Sequence, residues 1–456
     1  MKRPPQSILK PLYVKLAEHL RNKFHNLPPH SKLPSVRSLA EVYKVNPSTV
    51  VSALKLLEDE AMVYSRKGSG TYRAPQATER PLPRAAQQFA VDFTSGTPSP
   101  EYFPVDDFKI AFQAVLERDG GQAFAYPEAQ GYPKLRLSIA GYLASQGMDV
   151  DPDQVHITSG AQQAIFLLAQ VLLSPGDTVL MECPSYGGAL QVFAACNARV
   201  IGVPLGYQGL RVKELAQAQK QNPRLIYTIP NFHNPTGISY GHESRQALIA
   251  FARQNDYYII EDDHISELYY TASRPRPLWQ DAPDRVLYVK SFSKLFMPGL
   301  RLGFLVVPHA LSAALNKARQ AVDLGSSGIT QRALQFYLES GKWQQHQESL
   351  RRIYGERAVA LYATLKKHLQ GEAHFSPLKG GMNCWVELSP ATQSNALLEL
   401  TAPQGVSFTP GAQFSLAPYD YKNYLRLSIA ATSESQISAG MAIMAASLAK
   451  LNRPKP

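Results

Sequence analysis

Seventeen residues between Ala74 and Ala90, APQATERPLPRAAQQFA, carry few large apolar side chains and no hydrophobic period, so no core helix or strand is expected there. This linker, residues 75–90, divides 456 residues into an N-terminal unit, 1–74, and a body, 91–456. That total exceeds what one hydrophobic core organises. Charge follows the same division. Residues 1–84 hold 15 Lys and Arg against 6 Asp and Glu, the remainder 32 against 30, so most of the net +11 sits in the smaller unit. Basic charge concentrated in a small terminal segment is an electrostatic footprint for a polyanion, although by charge alone a solvated basic surface is an equally good reading. At 45% hydrophobic and 18% charged residues the chain is of ordinary globular composition, not disordered. No run of eighteen apolar residues occurs, which argues against a membrane span. The opening MKRPPQSILKPLYVKL lacks the apolar segment of a secretory signal. Cys183, Cys196 and Cys384 are scattered and odd in number, giving neither a disulfide framework nor a metal cluster, so a reducing cytoplasm is expected.

In the basic unit Leu12, Leu16 and Leu20 recur at helical spacing beside Ala17. Ser35 is placed to cap a second helix carrying Val36, Leu39, Ala40 and Tyr43. Asn46 suits the N-cap of a third, with Pro47 at its first position, where the missing N–H costs nothing. That helix, from Ser48 to about Ala61, buries Val50, Leu54 and Leu57 and leaves Ser48, Thr49, Ser52 and Lys55 outward. Met62–Ser65 and Thr71–Arg73 flank Arg66-Lys67-Gly68-Ser69-Gly70 as a hairpin with a basic tip. Two helices joined by a tight turn, with small polar residues opening the second, have helix-turn-helix geometry.

In order and spacing, PLYVKLAEHLR, LPSVRSLA, VNPSTVVSALKLLEDEAMV and SRKGSGTY resemble the winged helix-turn-helix of GntR-type transcription regulators over residues 11–74. The resemblance implies an α+β DNA-binding unit in which Arg37, Ser48, Thr49, Ser52 and Lys55 face operator DNA, with Arg66, Lys67 and Ser69 at the wing. Pro47 stands where many relatives carry a base-contacting Arg.

The body alternates strand-like runs (178–181, 225–228, 257–260 and 286–289) with helical stretches (162–173 and 244–254), the pattern of an α/β architecture with a largely parallel sheet. Ligands of such sheets sit beyond the carboxyl ends of the strands. Four groups of residues fall there. Lys294, in SFSKLFMPGLRLGF, stands among apolar residues with Arg301 near; such a setting depresses an ammonium pKa and suits an amine nucleophile, whereas most loop lysines are solvated charges. Ser159-Gly160-Ala161 opens a helix whose N-terminus favours an anion, or else is simply capped. Asp262, within Glu261-Asp262-Asp263-His264, is either a buried carboxylate placed for a protonated ring nitrogen or part of an exposed acidic turn. Asn234, in IPNFHNPTG, is an amide on a turn that Pro alone would also explain.

Together with ECPSYGG, these groups resemble fold type I pyridoxal-phosphate enzymes of the aspartate aminotransferase type over residues 92–450. That resemblance implies a mostly parallel large domain with a small C-terminal subdomain, and pyridoxal 5'-phosphate as cofactor. It implies that Lys294 forms the Schiff base, Asp262 meets the ring nitrogen, Asn234 the phenolic oxygen, and Tyr186 the ring face. Ser159, Gly160, Ala161, Ser291 and Arg301 would hold the phosphate, and Tyr126 would reach the other subunit's phosphate in a homodimer. Arg426, in NYLRLSIA, would clamp a carboxylate. His264 stands where relatives often carry a tyrosine bonded to the cofactor oxygen.

A winged helix ahead of a whole aminotransferase-like body resembles the MocR subgroup of GntR regulators. The implied function is regulation of transcription at operator DNA, with the body sensing the cofactor or an amino compound that reacts with it. The rival reading is a working aminotransferase with an accessory N-terminal domain.

Overall fold

The computed structural model describes residues 11–25, 27, 31–59, 62–66, 70–73 and 89–452. Two compact units divide the chain, residues 1–88 and 89–456. Most of the expected linker lies outside the described residues.

In the first unit α1 (Leu12–His25), α2 (Val36–Tyr43) and α3 (Pro47–Asp59) precede the antiparallel hairpin β1 (Val63–Arg66) and β2 (Gly70–Arg73). The Ser35 hydroxyl accepts from the Ser38 N–H, and the Asn46 carboxamide oxygen accepts from the Ser48 N–H at 3.0 Å, so α2 and α3 start where side chains satisfy first-turn donors. Leu16, Ala17, Leu20, Leu39, Val50, Leu54, Leu57 and Val63 form the core. Leu12, expected on the same stripe, is exposed instead: it is the first residue of its helix and borders a surface groove with the polar start of α3. The hairpin is pinned by Arg73, whose buried guanidinium donates to the Phe24 and Met62 carbonyls, and by the stacked rings of Tyr64 and Tyr72.

The second unit is built on an eight-stranded sheet. Its strands are β3 (Val155–Thr158), β4 (Thr178–Cys183), β5 (Arg199–Gly206), β6 (Gly209–Leu210), β7 (Pro223–Thr228), β8 (Tyr258–Asp263), β9 (Val286–Ser291) and β10 (Gly303–Val306). Their spatial order is β3-β10-β9-β8-β7-β4-β5-β6. The pairs β4–β5, β4–β7, β7–β8 and β8–β9 are parallel, while β10 runs antiparallel to both its neighbours and β6 to β5, so the sheet is mixed. Every residue of β4 and β9 is buried, as expected of strands covered on both faces. Alternation sends Val179, Met181, Leu225, Tyr227, Ile260, Leu287 and Val289 to one apolar cluster, while Leu180, Ile226, Ile259, Val286 and Tyr288 join the other.

Register aligns the functional edge. Ser291, at the end of β9, sits opposite Gly303, which sits opposite Thr158 at the end of β3; next door, Lys290 pairs with Asp263 of β8. A smaller antiparallel sheet of 373–374, 383–388, 409–410 and 424–428 places Arg426 between Trp385 and Thr409.

Replacing Asn46 with Ala should lower the stability of the N-terminal unit by about 1 kcal/mol through loss of the helix cap. Amide exchange at Leu54 and Leu57, measured in the full chain, should quicken while exchange in β9 stays unchanged.

Candidate functional site

The row of strand ends becomes a pocket because the residues after each strand turn over the same edge. After β3 the chain passes Ser159 and enters helix α4 (Ala161–Leu172) through Gly160, whose φ of 96° is open to glycine at little cost. Among the described residues no side chain caps that helix end. Its first N–H groups and dipole are therefore available to an anion. The Ser159 carbonyl accepts from Arg301 Nη2 at 2.7 Å, and a Cβ at Gly160 would meet that nitrogen at 3.2 Å, so the guanidinium lies against the helix start. Ser291 is buried at the end of β9, one strand further along the sheet beyond β10, its hydroxyl accepting from the Ser293 N–H.

Lys294 follows three residues later. Its pKa falls to about 8, first because burial disfavours the ammonium and then because Arg426 and Arg301 add positive charge, with Asp262 opposing. A Cβ on Gly96 would stand 3.3 Å from Lys294 Nζ, so the segment 94–96 walls the amine. Asp262, at the end of β8, is buried; Tyr227 donates to Oδ2 at 2.6 Å, and Oδ1 has no partner among the described residues. Burial raises its pKa to about 6 against the Tyr227 hydrogen bond. The alternative of an exposed acidic turn is overturned, since Glu261, Asp262 and Asp263 are all buried. His264 has both ring nitrogens unpartnered among the described residues, and burial lowers its pKa to about 3, keeping the imidazole neutral.

Tyr186 caps the helix Gly187–Ala195 close enough to Asp262 and Arg301 to feel both charges, while burial raises its phenol pKa. Asn234 Oδ1 accepts from Arg426 Nη1 at 3.1 Å. Arg426 Nη2 donates to the Thr94 carbonyl at 2.7 Å and to Thr409 Oγ1 at 3.1 Å, and Nε is unpartnered among the described residues. Burial lowers the Arg426 pKa to about 10, and no acidic side chain forms an ion pair with it among the described residues.

The structure thus brings Ser159, Gly160, Ala161, Tyr186, Asn234, Asp262, His264, Ser291, Lys294, Arg301 and Arg426 to one edge. Tyr126 is not among them; its side chain is 84% exposed. Tyr227, Thr94 and Gly96 escape the sequence reading. Tyr227 looks like core in LIYT, and only the short polar run Thr94-Ser95-Gly96 after a strand signals the other two.

In the first unit Arg37, Ser48, Ser52 and Lys55 are exposed and Thr49 is half-buried. Ser48, Thr49 and Ser52 line a shallow groove of about 180 Å³ with Leu12 and Tyr13. The Arg66 side chain and residues Lys67 and Ser69 lie outside the described residues.

Comparisons with known proteins agree with both halves. Residues 90–442 match the family model of aminotransferase class I and II, and residues 12–72 that of the bacterial regulatory proteins, gntR family. The chain is 30% identical to the uncharacterized HTH-type transcriptional regulator YcxD of Bacillus subtilis over 91% of its own length and 94% of that protein. It is 29% identical to the probable rhizopine catabolism regulatory protein MocR of Rhizobium meliloti over 90% and 88%. Among solved structures, LysN, the α-aminoadipate aminotransferase of Thermus thermophilus complexed with N-(5'-phosphopyridoxyl)-L-leucine, superposes with a TM-score of 0.74 at 33% identity. That match covers 79% of this chain and 92% of LysN.

Because Lys294 titrates near 8 in the folded chain against 10.5 when solvated, the native state binds fewer protons between those values, and stability there rises with pH. Thermal unfolding of the cofactor-free protein across that window should show a rise that Lys294→Met loses.

Proposed function

The chain belongs to the aminotransferase class I and II family and joins that body to a DNA-binding unit of the gntR family, and from this premise we propose that it is a transcription regulator whose body senses pyridoxal 5'-phosphate or an amino compound captured by it. The observation that carries the cofactor reading is the orphaned carboxylate oxygen of Asp262, buried beside a lysine whose amine is half-neutral near pH 8. A buried acceptor without a donor is costly, and a protonated ring nitrogen supplies the donor. When bound, the cofactor offers an aldehyde that condenses with amines and a ring that withdraws electrons.

The residues of this chain fit that group. Lys294 would hold the aldehyde carbon, Tyr186 the ring face, and Asn234 and His264 the oxygen-bearing edge. Ser159, Gly160, Ala161, Ser291 and Arg301 would surround the phosphate, combining an uncapped helix start with a fixed cation. Arg426 meets only uncharged acceptors, so an effector carboxylate would supply its missing counter-charge. Tyr126 acts in a homodimer. Its exposure, with that of Ile110, Phe124, Leu137 and Leu324, supports an apolar face for self-association. Placement in the cytoplasm agrees with three buried, unbridged cysteines, and no helix among the described residues is long and apolar enough to cross a membrane.

Arg37, Ser48, Thr49, Ser52 and Lys55 would meet the operator, with Arg66, Lys67 and Ser69 at the wing. The rival, a turning-over aminotransferase, shares every body residue named here; the winged helix with its concentrated charge favours regulation.

The visible band formed on adding pyridoxal phosphate should disappear in Lys294→Ala, and Asp262→Asn should weaken cofactor binding at pH 8. In the wild type, affinity should fall as pH drops through about 6, because cofactor binding to an uncharged Asp262 carboxyl requires loss of its proton. For DNA, Thr49→Ala should cost about 1–3 kcal/mol if it reads a base directly, whereas Lys67→Ala should weaken binding to all sequences and flatten its salt dependence, both read by fluorescence anisotropy. Operator affinity unchanged by cofactor and by amino acids would refute the sensing role.

A further inference from the structure

Asp262 and Asp263 are consecutive in β8, so they leave the sheet on opposite faces. Asp262 points with Tyr227 toward the Lys294 pocket. Asp263 belongs to the other face, where its carboxylate accepts from Lys290 Nζ at 3.1 Å, Arg274 Nη2 at 3.3 Å and Tyr288. Glu267 completes the group, accepting from Lys290 at 2.6 Å and Arg274 at 3.2 Å. Two cations and two carboxylates balance, so this buried quartet needs no further charge.

Beside it opens a cavity of about 310 Å³, within the size range of small-molecule sites. The helix residues Tyr142, Gln347 and Arg351 line it together with Gln146 in the turn after Ala144, and Arg274 and Arg276 complete the wall. No residue of the Lys294 pocket does. Beyond the balanced quartet the walls carry Arg276, a largely exposed side chain that donates to Gln280 Oε1 at 2.7 Å and meets the Asp281 carboxylate at 3.4 Å, and Arg351, which forms no ion pair among the described residues. Arg351 stacks on the Tyr269 ring with its Cζ 4.3 Å from the centroid and donates from Nη1 to the Tyr269 hydroxyl. Its Nε is buried and unpartnered among the described residues. Gln146 Oε1, in the same cavity, is a buried acceptor in the same condition.

We infer that this cavity, on the sheet face opposite the Lys294 pocket, is a second binding site, for a small hydroxycarboxylate. A carboxylate would take the unpartnered edge of Arg351, where side-on guanidinium pairing gives two charge-assisted hydrogen bonds. Gln146 Oε1 requires a donor in addition. A hydroxyl suits it better than an ammonium, because three guanidinium groups line the same space. Arg274 joins the cavity to Asp263 at the end of β8 and, through Asp263 and Glu267, to Lys290 of β9, the strand that leads to Lys294.

L-malate, which has no amine to react with the cofactor, is a suitable probe for calorimetry on the full, cofactor-loaded chain. In Arg426→Ala, which removes the carboxylate clamp of the first pocket, one malate should still bind per chain. Adding Arg351→Met should weaken that binding at least tenfold, and adding Arg276→Met by several-fold. Succinate, lacking the hydroxyl, should bind several-fold less tightly than malate, and Gln146→Leu should erase this preference, a test that stands even if the Arg351 variant fails to fold. Malate binding that vanishes in Arg426→Ala, or that survives Arg351→Met with its preference over succinate intact in Gln146→Leu, would overturn the assignment.

Discussion

Lys290 and Asp263 face each other across neighbouring parallel strands deep inside the sheet, and the geometry of the body depends on that pairing. Either group alone would carry a large desolvation penalty; with Glu267 and Arg274 in place, the four charges cancel at hydrogen-bond distance. Removing one partner from such a group typically costs about 3–5 kcal/mol, so slipping β8 against β9 by even one residue is strongly opposed. A slip would also exchange the faces of every side chain beyond it. The register held by the quartet therefore decides that Asp262 looks toward Lys294 and not away from it, and that Ser291 lines up with Gly303 and the start of α4.

The same alternation explains what could be read from sequence and what could not. Ser35 and Asn46 were legible because a cap is a local contract between a side chain and the first turn that follows it. Lys294, Arg301 and Ser159-Gly160 were legible because strand-to-loop transitions announce themselves in the apolar pattern. The run Glu261-Asp262-Asp263 shows three carboxylates in a row, and nothing local states which is buried or what each meets. Their partners lie far along the chain: the Leu278 and Trp279 N–H groups for Glu261, Tyr227 for Asp262, Lys290 for Asp263. Leu12 failed in the opposite sense, since its helical spacing was right but at the first position of α1 it borders the polar start of α3 at the surface. Arg351 looks like one more basic residue on a long helix, and its position against Tyr269 emerges only from tertiary packing.

Charge bookkeeping links the pocket to a signal. Arg426 is buried and held by three neutral acceptors drawn from separate parts of the body: the Thr94 carbonyl near its start, Asn234 after β7, and Thr409 in the smaller sheet. Its neighbour Lys294 has its ammonium disfavoured by Arg426 and Arg301 as well as by burial. Burial disfavours both cations, with Asp262 opposing at Lys294 and Asp92 at Arg426. An anionic amino acid would change this at both ends, its carboxylate matching Arg426 and its amine lying beside Lys294.

Such a ligand acts on the protein only through the difference between its affinities for two arrangements. The three acceptors of Arg426 indicate where that difference can arise. A carboxylate taking two of the guanidinium's N–H groups would share or displace Asn234 or Thr409, which the arginine ties together. Loosening one tie while tightening another changes how the smaller sheet packs on the larger. The segment entered by Thr94 is also the one that connects back toward the DNA-binding unit, since strand 91–92 pairs with 406–407 and opens the body. An amino-acid carboxylate at Arg426 would therefore meet a guanidinium already tied, through the Thr94 carbonyl, to the segment that opens the body.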